Sequence, residues 1–116
     1  MTKEFVTYEQ AVVLKKLGFD EPCIGYYYNN KIHFNSPGVN FVGPSGEQPL
    51  PLKQQVFRWF REKGYTTSIY SDGKDGSEWY FLIKRGTITT NDNVFDSYEE
   101  AENACIDKLI EIVKNK

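Results

Sequence analysis

Two segments at opposite ends of a 116-residue chain, Thr7-Tyr8-Glu9-Gln10-Ala11 and Ser97-Tyr98-Glu99-Glu100-Ala101, carry the same helix-start pattern. A hydroxyl accepts a hydrogen bond from an orphan N–H of the first turn, while Gln10 or Glu100 reaches back to the capping residue's own N–H. The first helix is expected from about Tyr8 to Leu17, with Gly18 as a left-handed stop and Phe19 folding over the last turn. Its apolar arc is Ala11, Val13, Leu14 and Leu17, with Val12 off it. The last helix is expected from about Tyr98 to Lys114. Ala101, Cys105, Leu109, Ile112 and Val113 form its buried stripe, Ile106 lies beside them, and Glu102 projects near that stripe, in a rim position or an ion pair. Glutamates in its first turns and lysines at its end suit the helix dipole.

Between them, Cys23-Ile24-Gly25-Tyr26-Tyr27-Tyr28 and Lys31-Ile32-His33-Phe34 flank Asn29-Asn30, a two-residue hairpin loop made of residues that tolerate positive φ. That length fixes the register: Tyr28 faces Lys31, Tyr27 faces Ile32, Tyr26 faces His33 and Gly25 faces Phe34. Residues opposite each other share a face. Cys23, Gly25, Tyr27, Ile32 and Phe34 are therefore expected inside, and Ile24, Tyr26, Tyr28, Lys31 and His33 outside, with His33 stacked on Tyr26 across the strands. The segment 35–48 is rich in Ser, Pro, Gly and Asn. It reads equally as a functional loop or as a connector pinned by Phe41.

A second helix follows, with Pro51 in its first turn, an apolar stripe of Leu52, Val56, Trp59 and Phe60 widened by Phe57, and Gly64 as its stop. A second hairpin pairs Thr66–Ser71 with Glu78–Arg85 around a turn-rich connection. Trp79, Phe81 and Ile83 are expected inward, Tyr80, Leu82 and Lys84 outward. Residues 87–90 prolong the sheet. The order α-β-β-α-β-β-α uses one unit twice: helix, Gly stop, aromatic residue (Phe19 or Tyr65), hairpin. The expected class is α+β, two layers, with a four-stranded antiparallel sheet carrying its helices on one face. The units cover 7–34 and 51–85, and with the C-terminal helix 98–114 they make a single compact domain over 1–116.

Composition narrows function by exclusion. A net charge of -2 provides no field for phosphate backbones, so nucleic acid is a disfavoured partner, and Lys15, Lys16, Arg58, Arg61 and Lys63 read as solvated helix faces. No apolar run is long enough for a membrane span. With no leader pattern and only two cysteines, Cys23 and Cys105 read as reduced core thiols in a cytoplasmic protein. His33 is the single histidine, and the hairpin register puts it on the face opposite Cys23, which separates the only Cys–His candidate near in sequence. The chain cannot supply a four-ligand zinc centre. The connection 72–78 lacks the ligand spacing of a calcium loop, Gly43-Pro44-Ser45-Gly46 lacks the residues of a phosphate loop, and Asp20-Glu21 and Glu99-Glu100 point apart. No catalytic constellation, metal or cofactor is expected.

What remains is an aromatic content of 16%. If Tyr26, Tyr28 and His33 share an open sheet face, they form a strip of the kind enriched at interfaces; the other reading is that the 35–48 loop or a helix covers it. The reading adopted is a non-catalytic binding protein that engages a protein partner through Tyr26, Tyr28 and His33. The alternative is a small-molecule or nucleotide-binding protein, or a weak enzyme, using space between the long loop and the second hairpin. An open aromatic face is also compatible with a homodimer.

Three stretches, Leu17-Gly18-Phe19-Asp20-Glu21-Pro22-Cys23, Gln55-Val56-Phe57-Arg58-Trp59-Phe60-Arg61-Glu62-Lys63 and Tyr98-Glu99-Glu100-Ala101-Glu102-Asn103-Ala104-Cys105, resemble a group of small uncharacterised proteins from bacteriophages and prophages of Bacteroides-type gut bacteria. The resemblance spans most of the chain outside the loops 35–48 and 72–77. It implies a setting, an intracellular accessory protein of viral or mobile-element origin, and no functional residues.

Overall fold

The computed structural model describes residues 4–21, 23, 25–29, 31–34, 48–72, 76–86, 88–91 and 94–115. Their order is α1 (Tyr8–Lys16), β1 (Gly25–Tyr28), β2 (Lys31–Phe34), β3 (Gln48–Pro49), α2 (Lys53–Glu62), β4 (Thr66–Asp72), β5 (Glu78–Arg85), β6 (Ile88–Asn91) and α3 (Tyr98–Lys114). The class is α+β, but the strands form two separate three-stranded antiparallel sheets, β2-β1-β3 and β4-β5-β6, and not the expected four-stranded one. Each hairpin is completed by its own third strand. β3 takes the second edge of β1 and β6 the second edge of β5, so neither inner strand is left to join the other hairpin. The chain groups into two compact units, Met1–Gln55 and Val56–Lys116, with the division inside α2.

In the first unit the capping box forms in full. Gln10 N–H donates to Thr7 Oγ1 at 3.1 Å and Thr7 N–H donates to Gln10 Oε1 at 3.0 Å. At the other end Gly18 sits at φ 101°, Phe19 N–H donates to the Leu14 carbonyl at 2.9 Å and Gly18 N–H to the Lys15 carbonyl at 3.1 Å. This is a Schellman stop, which satisfies carbonyls the helix would otherwise orphan. The hairpin register is the anticipated one, Gly25↔Phe34 through Tyr28↔Lys31, and Asn29 has φ 51°. Tyr27 anchors the sheet inward: its hydroxyl donates to the Val6 carbonyl at 2.7 Å and its ring meets Tyr8 edge-on at 5.6 Å. The N-terminal segment and the entry to α2 close this unit, with Val6 N–H donating to the Pro51 carbonyl and Phe5 bridging Leu52. Phe5, Val6, Ala11, Leu14, Phe19, Cys23, Tyr27 and Leu50 are its buried apolar residues.

Gly25 shows why β1 begins with glycine. A Cβ there would collide with the His33 carbonyl and press on Leu50 Cδ2 at 3.0 Å, so any side chain forces backbone apart.

The second unit repeats the stop. Gly64 lies at φ 98°, Tyr65 N–H donates to the Phe60 carbonyl and Gly64 N–H to the Arg61 carbonyl, both at 3.0 Å. The Tyr65 ring then meets Phe60 at 6.4 Å and 87°. β4 and β5 pair from Thr66↔Lys84 to Asp72↔Glu78, and α3 packs on both strands. Phe81 and Ile83 are buried as expected, and Trp79 is half-buried. Trp79 exchanges backbone hydrogen bonds with Phe95 at 2.9 and 2.8 Å, and its ring meets Tyr98 edge-on at 5.5 Å.

Three local expectations change. Leu52 is exposed and Lys53 takes the buried position, because Leu52 is the extended residue that bridges Phe5, before the helix begins. Glu100 accepts from Asp96 N–H at 3.2 Å in place of the cap's own amide, although Ser97 Oγ does accept from Glu100 N–H. The buried stripe of α3 runs through Ala101, Glu102, Cys105, Ile106, Leu109 and Ile110. Ile112 and Val113, on its last turns, are only half-buried. The expectation that Phe41 pins its loop lies outside the described residues.

Substituting Gly64→Ala keeps the contacts and removes only the left-handed freedom, and it should cost about 1–2 kcal/mol. Gly25→Ala should cost more, about 3 kcal/mol, because backbone must move. Urea melts of the two variants read both values; a neutral Gly25→Ala would contradict the close approach.

Candidate functional site

The turn that puts Tyr27 inside puts its neighbours outside, because side chains alternate along a strand. Tyr26 is half-buried, Tyr28 is 43% exposed and His33 is exposed. Tyr26 and His33, cross-strand partners, stack with ring centroids 5.2 Å apart and planes 13° apart, and Tyr28 meets the same imidazole at 6.4 Å and 67°. The three residues chosen from the sequence are thus one contiguous cluster, with exposed Lys31 at its end. Ile24 lies outside the described residues.

The inner face of the hairpin departs from expectation at Phe34, which is 60% exposed. Its cross-strand partner is Gly25, which offers no side chain, and the ring contact it makes is with Phe5 at 6.2 Å.

A second outward aromatic pair stands on the other sheet. Tyr70 and Tyr80 are cross-strand partners, with centroids 5.5 Å and planes 17° apart, and the Tyr80 hydroxyl donates to Glu78 Oε2 at 2.8 Å. The sequence reading turned Tyr80 outward but did not pair it. The signal was available in the connection between Asp72 and Glu78, whose length sets which strand residues meet.

The arrangement offers flat apolar faces, phenol hydroxyls and an imidazole, and the hairpin keeps the Cys23 thiol apart from that imidazole. Cys23 is buried while His33 is on the solvent side. Neither cysteine forms a disulfide. Burial pushes the Cys23 thiol from 9.0 up to about 11; a hydrogen bond with Leu50 backbone opposes this and Glu21 adds to it. Burial likewise pushes Cys105 up to about 12, with the Glu102 carboxylate adding repulsion. Burial, then the charge of Glu9, raises the Tyr27 phenol. Among the described residues no group of three or more His, Cys, Asp or Glu is gathered as a metal would require. Among them no helix is long and apolar enough to cross a membrane. Lys15, Lys16, Arg58, Arg61 and Lys63 are all exposed, and Lys63 lies over the Trp59 ring at 4.4 Å.

The sequence reading missed one buried charged residue and brought another only near the buried stripe. Lys53 is 2% exposed and Glu102 is 6% exposed. Glu102, expected near the apolar stripe in a rim position or an ion pair, lies one residue after Ala101 and within the wide buried stripe.

Comparison of the chain with protein-family models, curated proteins and solved structures returned no match.

At pH 8 a thiol titrating near 11 is ionised in about one molecule per thousand, and one near 12 in about one per ten thousand. Iodoacetamide should therefore label native Cys23 slowly and Cys105 more slowly still, with both at free-thiol rates in denaturant. The same raised values leave the thiols' contribution to stability unchanged up to about pH 8 and falling from there towards pH 12, because the unfolded chain releases protons the native state retains. Labelling of the native protein at the rate of free cysteine would contradict this picture.

Proposed function

We propose that this chain is a non-catalytic accessory protein that binds a protein partner through the cluster of Tyr26, Tyr28 and His33. The observation that carries the reading is the stack itself: two tyrosines and a histidine held against one another on a solvent-facing strand pair. Aromatic residues are costly to expose, and tyrosine is enriched where proteins meet because it buries area at low rotamer cost. Pre-stacking deepens that advantage, since immobilising a free side chain costs about 0.5–1.5 kcal/mol on binding. The resemblance to phage and prophage proteins supports a partner from the host or the phage, in the host cytoplasm.

The test is capture from host lysate followed by affinity measurement on the partner identified. The double variant Tyr26→Ser, Tyr28→Ser should weaken binding by about 30-fold, as the loss of two central aromatic contacts implies. The exposed-residue control Arg58→Ser should leave it intact. Unchanged affinity in the double variant, with its thermal melt preserved, would remove the proposal.

A further inference from the structure

The end of the second unit where α2 stops and β5 finishes gathers cations. Arg61 is in the last turn of α2, Lys63 follows that helix, and Lys84 and Arg85 are the last two residues of β5; all four are exposed. The fold brings the two stretches together. Lys84 is the cross-strand partner of Thr66, and a Cβ built on Gly64 would stand 3.7 Å from Arg85 Nε. Glu62 is the one acidic residue in these stretches, and among the described residues no carboxylate is ion-paired with any of the four cations. Two of them are held by rings. Lys63 Nζ lies over the Trp59 ring at 4.4 Å and Arg85 Cζ over the Tyr65 ring at 5.1 Å, and both rings belong to buried residues. A ring face attracts the charge without occupying the N–H donors, so these stay available to an anion. Gly64, demanded by its φ of 98°, has no side chain with which to cover Arg85 Nε.

We propose that Lys63 and Arg85, flanked by Arg61 and Lys84, dock a short acidic segment of a protein partner, whose carboxylates take up the N–H donors that the rings leave over. This surface belongs to the second unit and is independent of the Tyr26 cluster. Charge complementarity selects the occupant: four unpaired cations against one carboxylate call for an anion in direct contact, where screening is weakest. The planar guanidinium fork of Arg85 matches a carboxylate with two parallel hydrogen bonds. Side chains already held against rings also lose less freedom on binding. The acidic groups of this unit stand at the far end of the hairpin. Glu78 begins β5, and the Trp79–Phe95 bridge sets Asp96 and the first turn of α3, with Glu99 and Glu100, beside it. From Glu78 to Arg85 the strand runs about 23 Å, more than two screening lengths at physiological salt, so that end does not cancel the patch. A uniformly charged strand of nucleic acid running on along the hairpin would meet it, whereas a short run of carboxylates is matched by the four cations alone.

Titration of the full chain with an acetylated hexaglutamate peptide at low salt, followed through the backbone amide shifts by nuclear magnetic resonance, tests this. The largest shifts should fall on Lys63, Gly64, Tyr65, Thr66 and Arg85, a map that needs no variant. Lys63→Gln with Arg85→Gln should weaken the peptide about tenfold or more, as the loss of two charge-assisted contacts implies. Lys16→Gln with Lys108→Gln removes the same two charges from elsewhere and should change the affinity by less than about twofold. An octathymidylate oligonucleotide should bind more weakly than the peptide. Absence of binding, shifts scattered over the exposed lysines, or equal weakening by the two charge-matched pairs would each overturn the proposal. Tighter binding of the oligonucleotide would overturn it too, by assigning the patch to nucleic acid.

Discussion

The reversal between Tyr28 and Lys31 governs what the first sheet can present. With only two residues between the strands and Asn29 held at φ 51°, the chain has no slack with which to slip. A shift by one residue would exchange the two faces, driving Tyr27 into solvent and Tyr26 and Tyr28 inward. Tyr27 opposes that slip through its buried hydrogen bond to the Val6 carbonyl, since breaking it would strand a polar group away from water. Gly25 opposes it from the strand's other end, where only a residue without Cβ fits against the His33 carbonyl. The exposed stack of Tyr26 and His33 is thus the obligatory reverse side of a well-anchored interior.

The same local device starts both hairpins. A helix ends in a Schellman stop at Gly18 or Gly64, the next aromatic residue is buried over the last turn, and the chain turns into its sheet. The two copies then diverge in how they are finished. One hairpin acquires a two-residue strand containing proline, the other a strand of four residues, while the Trp79–Phe95 bridge lies on β5 and α3 packs on β4 and β5. The difference matters for the edges. The first sheet is closed off by short, charged or proline-bearing strands, and the second keeps one long regular strand open.

Local signals in the sequence were strong where one residue type performs one geometric task. The caps at Thr7 and Ser97, the glycine stops, the Asn turn and the strand alternation around Phe81 and Ile83 are all of this kind, and so was the cluster of Tyr26, Tyr28 and His33. The sheet topology was less legible because β3 has no periodicity to detect: Gln48-Pro49 carries no alternation and contains a residue that argues against a strand. Burial near element ends misled for a related reason. Leu52 was counted on a helix face when it is extended, Phe34 was placed inside although its cross-strand partner is a glycine, and Lys53 and Glu102 are buried through tertiary surroundings that no local pattern encodes.

Nuclear Overhauser contacts of the His33 ring in the native protein test this account most directly. Close contacts from the imidazole to the Tyr26 and Tyr28 rings, with Tyr27 alone of the three tyrosines showing contacts to Val6, are the predicted pattern. Contacts from Tyr26 or Tyr28 to interior residues such as Val6 or Leu50, with Tyr27 facing solvent, would contradict it.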